Sequence, residues 1–228
     1  MNPTTTAAHE VLAVVLQVRG GELQVLLWQR AREPHSGRWS LPGGALGADE
    51  ALERSIRRHL AAKVDVREVA HLEQLATLGD PSRHPDRRQL ATAYLGLVPR
   101  DTETRSVPGD TAWHTVERLP ELAFDHREIV LAGRDRLRAK LSYTNAGFAL
   151  APATFTLSEL RSLYTAALGH DVSTTNLQRV LLRRGLLEET GERRPPGRAG
   201  GRPASVYRFR SRTLEVTDPF AVLRPPGQ

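Results

Sequence analysis

The sequence predicts an α+β protein with two domains, of which the second is a winged helix-turn-helix. The chain opens with two β-rich runs on either side of a Gly-Gly turn, and a stretch with helical spacing of apolar residues follows them. The last third follows the order helix, turn, helix, hairpin, which is typical of a winged helix. A length of 228 residues suits two modest domains, and a hydrophobic content of 39% is enough for packed cores.

The first part of the chain alternates signals for strands and helices. Both predicted helices have an acidic residue at the expected N-cap, Asp49 and Asp125. Aliphatic and β-branched runs between turns predict the strands, and a polar stretch containing proline predicts a loop. The predicted elements are strands over 11–18 and 23–28, a helix over 49–62, strands over 64–69, 73–77 and 90–98, a loop over 79–88 and a linker helix over 125–141.

The second part begins with a capping box, in which Thr156 at the N-cap is followed three residues later by Glu159. Gly169 provides the stop signal for that helix. The remaining predicted elements are a helix over 173–184, strands over 186–190 and 204–209, and a loop rich in Pro and Gly between them over 195–203.

A stretch of small and polar residues over 142–152 predicts the domain boundary, which gives domains 1–142 and 143–228. The net charge of +6 is divided unevenly, since the first domain holds 20 Lys+Arg against 19 Asp+Glu and the second holds 12 against 7. Seven arginines and no acidic residue fall between Arg193 and Arg212. This asymmetry predicts an anionic partner for the second domain, and the planar guanidinium suits bidentate contact with phosphate.

Two absences exclude whole classes of function. The chain contains no cysteine, which excludes disulfides, Cys-based zinc sites and Cys nucleophiles. The longest apolar run, over 11–16, is too short to span a bilayer, and the N-terminal residues do not resemble a signal peptide. We therefore expect a cytoplasmic protein that does not associate with membranes.

The stretch that begins at Gly44 resembles the signature of the Nudix family. That signature is Gly, five residues, Glu, seven residues, and then Arg-Glu-apolar-any-Glu-Glu-any-Gly-apolar. Gly44, Glu50 and Arg58 match its opening positions. The resemblance covers roughly residues 10–122 and implies a Nudix-like α/β/α sandwich with a mixed sheet.

The sequence departs from the signature at three positions, where the family has the glutamates that hold Mg²⁺. His59, Ala62 and Lys63 stand at those positions. Alanine cannot ligate a metal, and lysine places a cation where a cation would have to bind. The sequence therefore predicts no catalytic residue and no metal site. Two interpretations stay open: the helix is a scaffold only, or Lys63 allows a nucleotide diphosphate to bind without being cleaved.

Other segments resemble one Nudix subgroup, the NrtR regulators of NAD metabolism. This resemblance implies a homodimeric transcription regulator, usually a repressor, of genes for NAD biosynthesis or salvage. It also implies ADP-ribose or a related NAD product as effector, no required cofactor, and a palindromic operator in double-stranded DNA. The segments that support it are the Gly-Asp-Pro-x-Arg loop over 79–88, the stretches 124–130 and 137–144, and the wing residues 190–191, 200–204 and 207–209.

Five residues in or beside these Nudix segments are candidates for contact with the effector. Arginine and lysine suit its phosphates. For the loop arginines the alternative is an exposed basic loop without a ligand. The candidates are Arg30, Trp39, Lys63, Arg83 and Arg88.

The candidates for contact with DNA lie on the outward face of the second predicted helix of the winged helix and on the wing. A winged helix places the N-terminal half of that helix in the major groove, where Asn and Gln suit adenine and Arg suits guanine. The alternatives are a solvated polar face and a disordered basic loop. The candidates are Thr174, Thr175, Asn176, Gln178, Arg179, Arg183, Arg198 and Arg202.

Two rival functions follow from the same resemblance. An active ADP-ribose pyrophosphatase would need metal-binding carboxylates, which His59, Ala62 and Lys63 replace. An RNA-associated Nudix protein would prefer RNA to the B-form duplex that a winged helix fits.

Overall fold

The computed structural model describes residues 6–102, 108–195 and 203–218. The chain divides into two units. The first comprises Met1–Gln17, Leu23–Val98 and Glu103–Arg136, and the second comprises Val18–Glu22, Pro99–Thr102 and Leu137–Gln228. None of the helices in the described ranges has the length and apolar character needed to cross a membrane.

A mixed sheet of seven strands forms the centre of the first unit. The predicted strands over 11–18, 23–28, 73–77 and 90–98 are confirmed, and three short strands were not predicted. The strands are β1 (Ala8–Arg19), β2 (Glu22–Gln29), β3 (Trp39–Ser40), β4 (Gly43–Ala45), β5 (His71–Leu78), β6 (Gln89–Leu97) and β7 (Thr111–Thr115).

The path through this sheet is β3-β2-β1-β6-β5, with β4 paired to β1 and β7 paired to β2. β1 and β6 are parallel, with Val11 opposite Thr92. The pairings of β4 with β1, of β3 and β7 with β2, and of β5 with β6 are antiparallel. Gly20 and Gly21 join β1 to β2, and their φ values of 56° and 82° explain why the turn requires glycine.

One face of the sheet is covered by α1 (Leu52–Val64). Ile56 and Leu60 of this helix are fully buried in a cluster with Ala13 and Val15 of β1. Burial of one such aliphatic side chain contributes about 1.5–3 kcal/mol to the free energy of unfolding. The helical spacing of these residues was the sequence signal for α1.

The opposite face of β1 contacts α2 (His126–Tyr143). Successive side chains of a strand point to opposite faces, and Val14, the residue between the two β1 residues of the α1 cluster, packs against α2 at Gly133. A Cβ atom added at Gly133 would lie 2.8 Å from Val14 Cγ1. Helices on both faces confirm the predicted α/β/α sandwich with a mixed sheet.

A three-stranded sheet of order β8-β10-β9 and two helices form the winged helix of the second unit. Both pairings in this sheet are antiparallel. The order helix, turn, helix, hairpin confirms the predicted winged helix. Its elements are a 3₁₀ helix (Ala146–Ala149), β8 (Phe155–Thr156), α3 (Leu157–Leu168), α4 (Thr174–Arg183), β9 (Leu187–Arg194) and β10 (Ala204–Phe209).

The capping signals of the second unit are confirmed. The Thr156 side chain accepts from the backbone N–H of Glu159, and the Glu159 carboxylate accepts from the backbone N–H of Thr156. Gly169 ends α3 with a φ of 77°, in the left-handed region that glycine favours. Ser173 caps α4, because its side chain accepts from the backbone N–H of Asn176.

Two details of the first unit differ from the predictions. Asp49 does not cap α1, which begins at Leu52 with Ala51 as its N-cap and no side-chain cap. The predicted strand over 64–69 is wrong, because Asp65 ends α1 with a φ of 51° and the chain turns there. Val64 and Val66 alternate as in a strand, but both are buried in the core cluster that contains Ile56 and Leu60 of α1.

The stretch 142–152, predicted as a small and polar connection, is packed into the second unit. Asn145 is 1% exposed, and its side chain donates to Thr213 O at 2.8 Å and accepts from Glu215 N at 2.7 Å. Phe148 is also buried. The domain boundary at 142/143 stays a prediction.

The close approach of α2 to β1 predicts a steric effect on stability. Gly133→Ala should lower the free energy of unfolding by about 1–3 kcal/mol, because Val14 is β-branched and cannot easily move away. This decrease is expected even though alanine is otherwise favoured over glycine inside a helix by about 1 kcal/mol. Urea unfolding measures the change.

Gly109→Ala is the matched control, because nothing lies within 4 Å of a Cβ atom at Gly109. Val14→Ala should partly rescue Gly133→Ala. A Gly133→Ala protein that is as stable as the unmodified chain would contradict the close packing.

Candidate functional site

A cavity of about 320 Å³ lies in the first unit, between the sheet, α1 and the start of α2. Residues from four strands and two helices, and from the segments after β2 and β3, converge on it. Its lining is Glu10, Leu12, Trp28, Arg30, Ala31, Arg32, Ser40, Leu41, Gly43, Gly44, Lys63 and His126. Of the five predicted effector residues, the structure brings Arg30 and Lys63 together at this cavity.

Arg30 directly follows β2 and is held by one hydrogen bond and one ring. Its Nε donates to Pro34 O at 2.9 Å, and its guanidinium carbon lies 4.8 Å from the centre of the Phe124 ring. Burial lowers the pKa of Arg30, and Glu10 and Glu33 oppose that effect. Within the described ranges, its two terminal amino groups donate to no acceptor, so they are available to a ligand.

Lys63 lies in the last turn of α1 and extends to the strands below. Its Nζ donates to Gly43 O at 2.6 Å and lies 4.4 Å from the centre of the Trp28 ring. Burial is the main reason that the pKa of Lys63 is lowered, and Arg30 adds repulsion. The ammonium group is therefore fixed in the cavity wall rather than solvated.

The residues at the family's metal-binding positions do not fit a divalent cation. His59 is buried, and its Nε2 donates to Ala45 O at 3.0 Å, while Ala62 offers no ligand. Burial lowers the pKa of His59. A Cβ atom at Gly44 would lie 2.5 Å from the His59 ring, so His59 packs against the loop. In the described ranges, no group of three acidic or histidine side chains is placed to hold a metal.

Glu50, which matches the family signature, is used for an ion pair. Arg58 Nε donates to Glu50 Oε1 at 2.8 Å, and Arg58 Nη2 donates to Oε2 at 2.6 Å. These hydrogen bonds are the largest reason that the pKa of Glu50 is lowered to about 2. The pair connects the segment before α1 to the exposed side of that helix.

Arg83 lies in the loop 79–88, but acidic residues occupy its guanidinium. Its Nη1 donates to Glu10 Oε1 at 2.9 Å, and its Nε and Nη2 donate to Asp125 at 3.0 and 2.9 Å. Only 3% of the Arg83 side chain is exposed. Burial alone would lower its pKa, but the two carboxylates outweigh burial and raise it. Asp125 is the residue predicted to cap α2, and its carboxylate forms an ion pair with Arg83.

The other two predicted effector residues are not part of the cavity lining. Arg88 Nη1 donates to Gly79 O at 2.6 Å and thereby joins the two ends of the loop. Trp39 of β3 packs edge-on against His114, with 4.3 Å between the ring centres.

The sequence reasoning missed His126, a buried cavity residue at the start of α2. Its Nδ1 lies 3.0 Å from Leu41 N and 2.9 Å from Ser40 Oγ. Burial lowers the pKa of His126 to about 3, and nearby Arg83 and Arg30 act in the same direction. The signal was available, because this histidine lies in the segment 124–130 that resembles the subgroup.

In the second unit, the predicted outward face of α4 is accessible. Leu177 and Leu181 are its buried residues, and Arg179 Nη2 donates to Asn176 Oδ1 at 2.8 Å. Gln178 is half-buried, and the other predicted residues on this helix are exposed: Thr174, Thr175, Asn176, Arg179 and Arg183.

The basic residues of the wing hairpin differ in their contacts and in their exposure. Arg194 Nη1 donates to both carboxylate oxygens of Glu159, at 2.7 and 2.6 Å. Arg194 therefore supports the start of α3, whereas Arg193 is exposed. Arg198 and Arg202, the two predicted wing contacts, lie outside the described residues.

Comparison with known proteins relates both units to known families. A model of the Nudix domain matches residues 8–132, and a model of the NrtR DNA-binding winged helix domain matches residues 147–209. The ADPR responsive transcriptional repressor NtrR of Acinetobacter baylyi is 33% identical over 201 residues, which cover 86% of this chain and 79% of that protein. The chain belongs to the NrtR family.

Solved NrtR structures share the fold. The crystal structure of Shewanella oneidensis NrtR complexed with a 27mer DNA has 34% sequence identity and a TM-score of 0.76, and the match covers 88% of this chain and 93% of that one. The NUDIX domain of the same NrtR, complexed with ADP ribose, has 33% identity and a TM-score of 0.52, over 59% of this chain and 90% of that one. Both units of this chain therefore have counterparts in the NrtR architecture.

The ion pair of Glu50 with Arg58 predicts a defined pH dependence. The pKa of Glu50 is lowered from 4.5 to about 2, so its contribution to stability is complete above about pH 4.5. It disappears as the pH falls from there toward 2. Arg58→Ala should move the titration of the Glu50 carboxyl back toward its ordinary range, which carboxyl-carbon NMR measures directly.

Arg57→Ala is the control, because Arg57 pairs with Glu53 instead, at 2.9 Å. It should leave the titration of Glu50 unchanged. An equal shift in the two variants would show that the general reduction of positive charge, and not the pair, sets the pKa.

Proposed function

We propose that this NrtR protein is a transcriptional repressor that responds to ADP-ribose and does not hydrolyse it. The first unit senses the nucleotide, and the winged helix binds DNA. Lys63 is the observation on which the proposal depends: an ammonium group held by Gly43 O and the Trp28 ring stands where the Nudix signature has a metal-binding glutamate. A cation fixed there favours binding of a diphosphate and disfavours the metal that hydrolysis needs.

Charge supports the cavity as the place where the nucleotide binds. Lys63 of α1 and Arg30, which follows β2, both line it, and the terminal amino groups of Arg30 are available within the described ranges. Glu10 also lines the cavity, but Arg83 neutralises it at 2.9 Å. The charged side chains that line the cavity therefore sum to a positive charge, which suits the two negative charges of ADP-ribose. Arg83 therefore has a supporting role in this proposal, behind the residues that face the ligand.

The accessible face of α4 supports the assignment of the DNA contact. Thr175, Gln178 and Arg179 offer donors and acceptors that suit the edges of base pairs in the major groove. The hydrogen bond from Arg179 to Asn176 at 2.8 Å joins two neighbouring side chains into one surface before DNA is bound. Arg183 is one turn further along α4, and its length suits phosphate.

Three parts of the proposal rest on relationship to the NrtR family. The protein is a homodimer, its operator is palindromic, and the genes it controls serve NAD biosynthesis or salvage. Action on DNA and on NAD metabolites places it in the cytoplasm. For a dimeric winged helix, the two half-sites should lie about one helical turn apart, or a multiple of that distance.

The proposal predicts that ADP-ribose binds without a divalent metal. Calorimetry in the presence of EDTA should give a saturable isotherm. Lys63→Met should weaken binding about 10- to 100-fold, because it removes one charge-assisted interaction with the diphosphate. Arg88→Met is the control, since Arg88 lies outside the cavity lining. Conversion of ADP-ribose to AMP and ribose phosphate in the presence of Mg²⁺ would contradict the proposal and favour a pyrophosphatase.

The assignment of α4 predicts weaker discrimination between DNA sequences when its arginine is removed. Arg179→Ala should cost about 1–3 kcal/mol on a cognate duplex selected from a random library, and much less on an unrelated duplex. Arg198→Ala or Arg202→Ala should weaken binding to both duplexes. Each should also lower the slope of log affinity against log salt by about 0.9 for every phosphate that the arginine neutralised. Fluorescence anisotropy in a salt series measures these effects.

Arg67→Ala is the matched control for these charge changes, because Arg67 is exposed in the first unit and pairs with Asp65 at 3.0 Å. An Arg179→Ala protein with full discrimination would disprove the role of α4. Tighter binding to RNA than to duplex DNA would favour the RNA-associated function instead.

A further inference from the structure

The hydrogen bonds of His126 determine which of its ring nitrogens carries the proton. Leu41 N lies 3.0 Å from Nδ1, and a backbone N–H is always a donor. Nδ1 must therefore be the unprotonated acceptor. A neutral imidazole has one N–H group, so in His126 the proton is on Nε2.

That N–H group has no acceptor in the described part of the chain. Nε2 is buried and lies within hydrogen-bonding distance of no partner, while the whole residue is only 2% exposed. Burial keeps the ring neutral, since it lowers the pKa of His126 to about 3. A buried donor without an acceptor destabilises a fold, and His126 lines the cavity, so a ligand bound there can supply the missing acceptor.

The surroundings define the chemistry of that acceptor. Arg83 and Arg30 are the arginines whose charge acts on the ring, and Arg30 and Lys63 line the same cavity. An oxygen that bears negative charge is favoured in such a place, and an ammonium group is disfavoured.

We propose that His126 is an effector-binding residue whose Nε2–H donates to a phosphate oxygen of the bound nucleotide. This inference rests on the proposed function, because it concerns the same cavity. The ring also accepts from Leu41 N, so one side chain joins the ligand to the segment between β3 and β4. His126 thus selects ligands with an unprotonated oxygen at this point.

Two substitutions separate the two nitrogens. In His126→Asn the amide oxygen replaces Nδ1 as acceptor for Leu41, and the Nε2 donor is removed. In His126→Gln the amide nitrogen replaces Nε2 as donor, and the acceptor for Leu41 is removed. We expect His126→Asn to weaken binding of ADP-ribose at least 10-fold with a Tm near that of the unmodified protein. His126→Gln should retain more affinity at a lower Tm.

A measurement on the unmodified protein avoids any effect of substitution on folding. With ¹⁵N-labelled histidine, the Nε2–H signal of His126 should shift downfield when ADP-ribose is added and should show coupling to ³¹P.

If the unmodified protein binds ADP-ribose but His126→Asn binds it equally well, or if the Nε2–H signal does not change, the role of His126 is wrong while the proposed function stands. A shifted signal without coupling to ³¹P overturns the assignment to a phosphate oxygen. If the unmodified protein does not bind ADP-ribose at all, the proposed function itself fails.

Discussion

The buried arginine Arg83 makes the interaction on which the geometry of the first unit depends. Its guanidinium joins three separate parts of the chain, because it donates to Glu10 of β1 and to Asp125, which precedes α2, from the loop 79–88. Removal of one partner from such a buried ion pair costs about 3–5 kcal/mol, since a charge is left uncompensated. Asp125 is followed directly by His126, so the ion pair holds the chain beside this cavity residue.

Near this ion pair, the residues that align with metal-binding positions of the Nudix signature make structural contacts. His59 packs on Gly44 and donates to Ala45 O, and Lys63 donates to Gly43 O. These residues connect α1 to β4 directly, where the family signature requires carboxylates that converge on an ion. In the proposed function, the same helix shapes a cavity for a nucleotide, and the chemistry of its wall favours binding over hydrolysis.

The arginines of the second unit have two different roles: some make structural contacts, and others are accessible. Arg194 is bound to Glu159, which also completes the capping box of α3, so one carboxylate stabilises both the helix start and the wing strand. Arg179 on the exposed face of α4 donates instead to the neutral side chain of its neighbour Asn176. Basic composition alone does not distinguish these two roles, because the position of a carboxylate such as Glu159 is set by the fold.

Local patterns in the sequence determined the Gly20-Gly21 turn, the capping box and both helices of the winged helix, because each depends on residues close to one another in the chain. The resemblance of Gly44, Glu50 and Arg58 to the Nudix signature predicted the Nudix-like architecture. Only the tertiary structure decided that Arg83 faces carboxylates and that His126 lines the cavity. The partners of Arg83 lie 73 and 42 residues away in the chain, and those of His126 lie 86 and 85 residues away. Burial and hydrogen bonding between such distant residues arise from packing of the sheet, which no local pattern specifies.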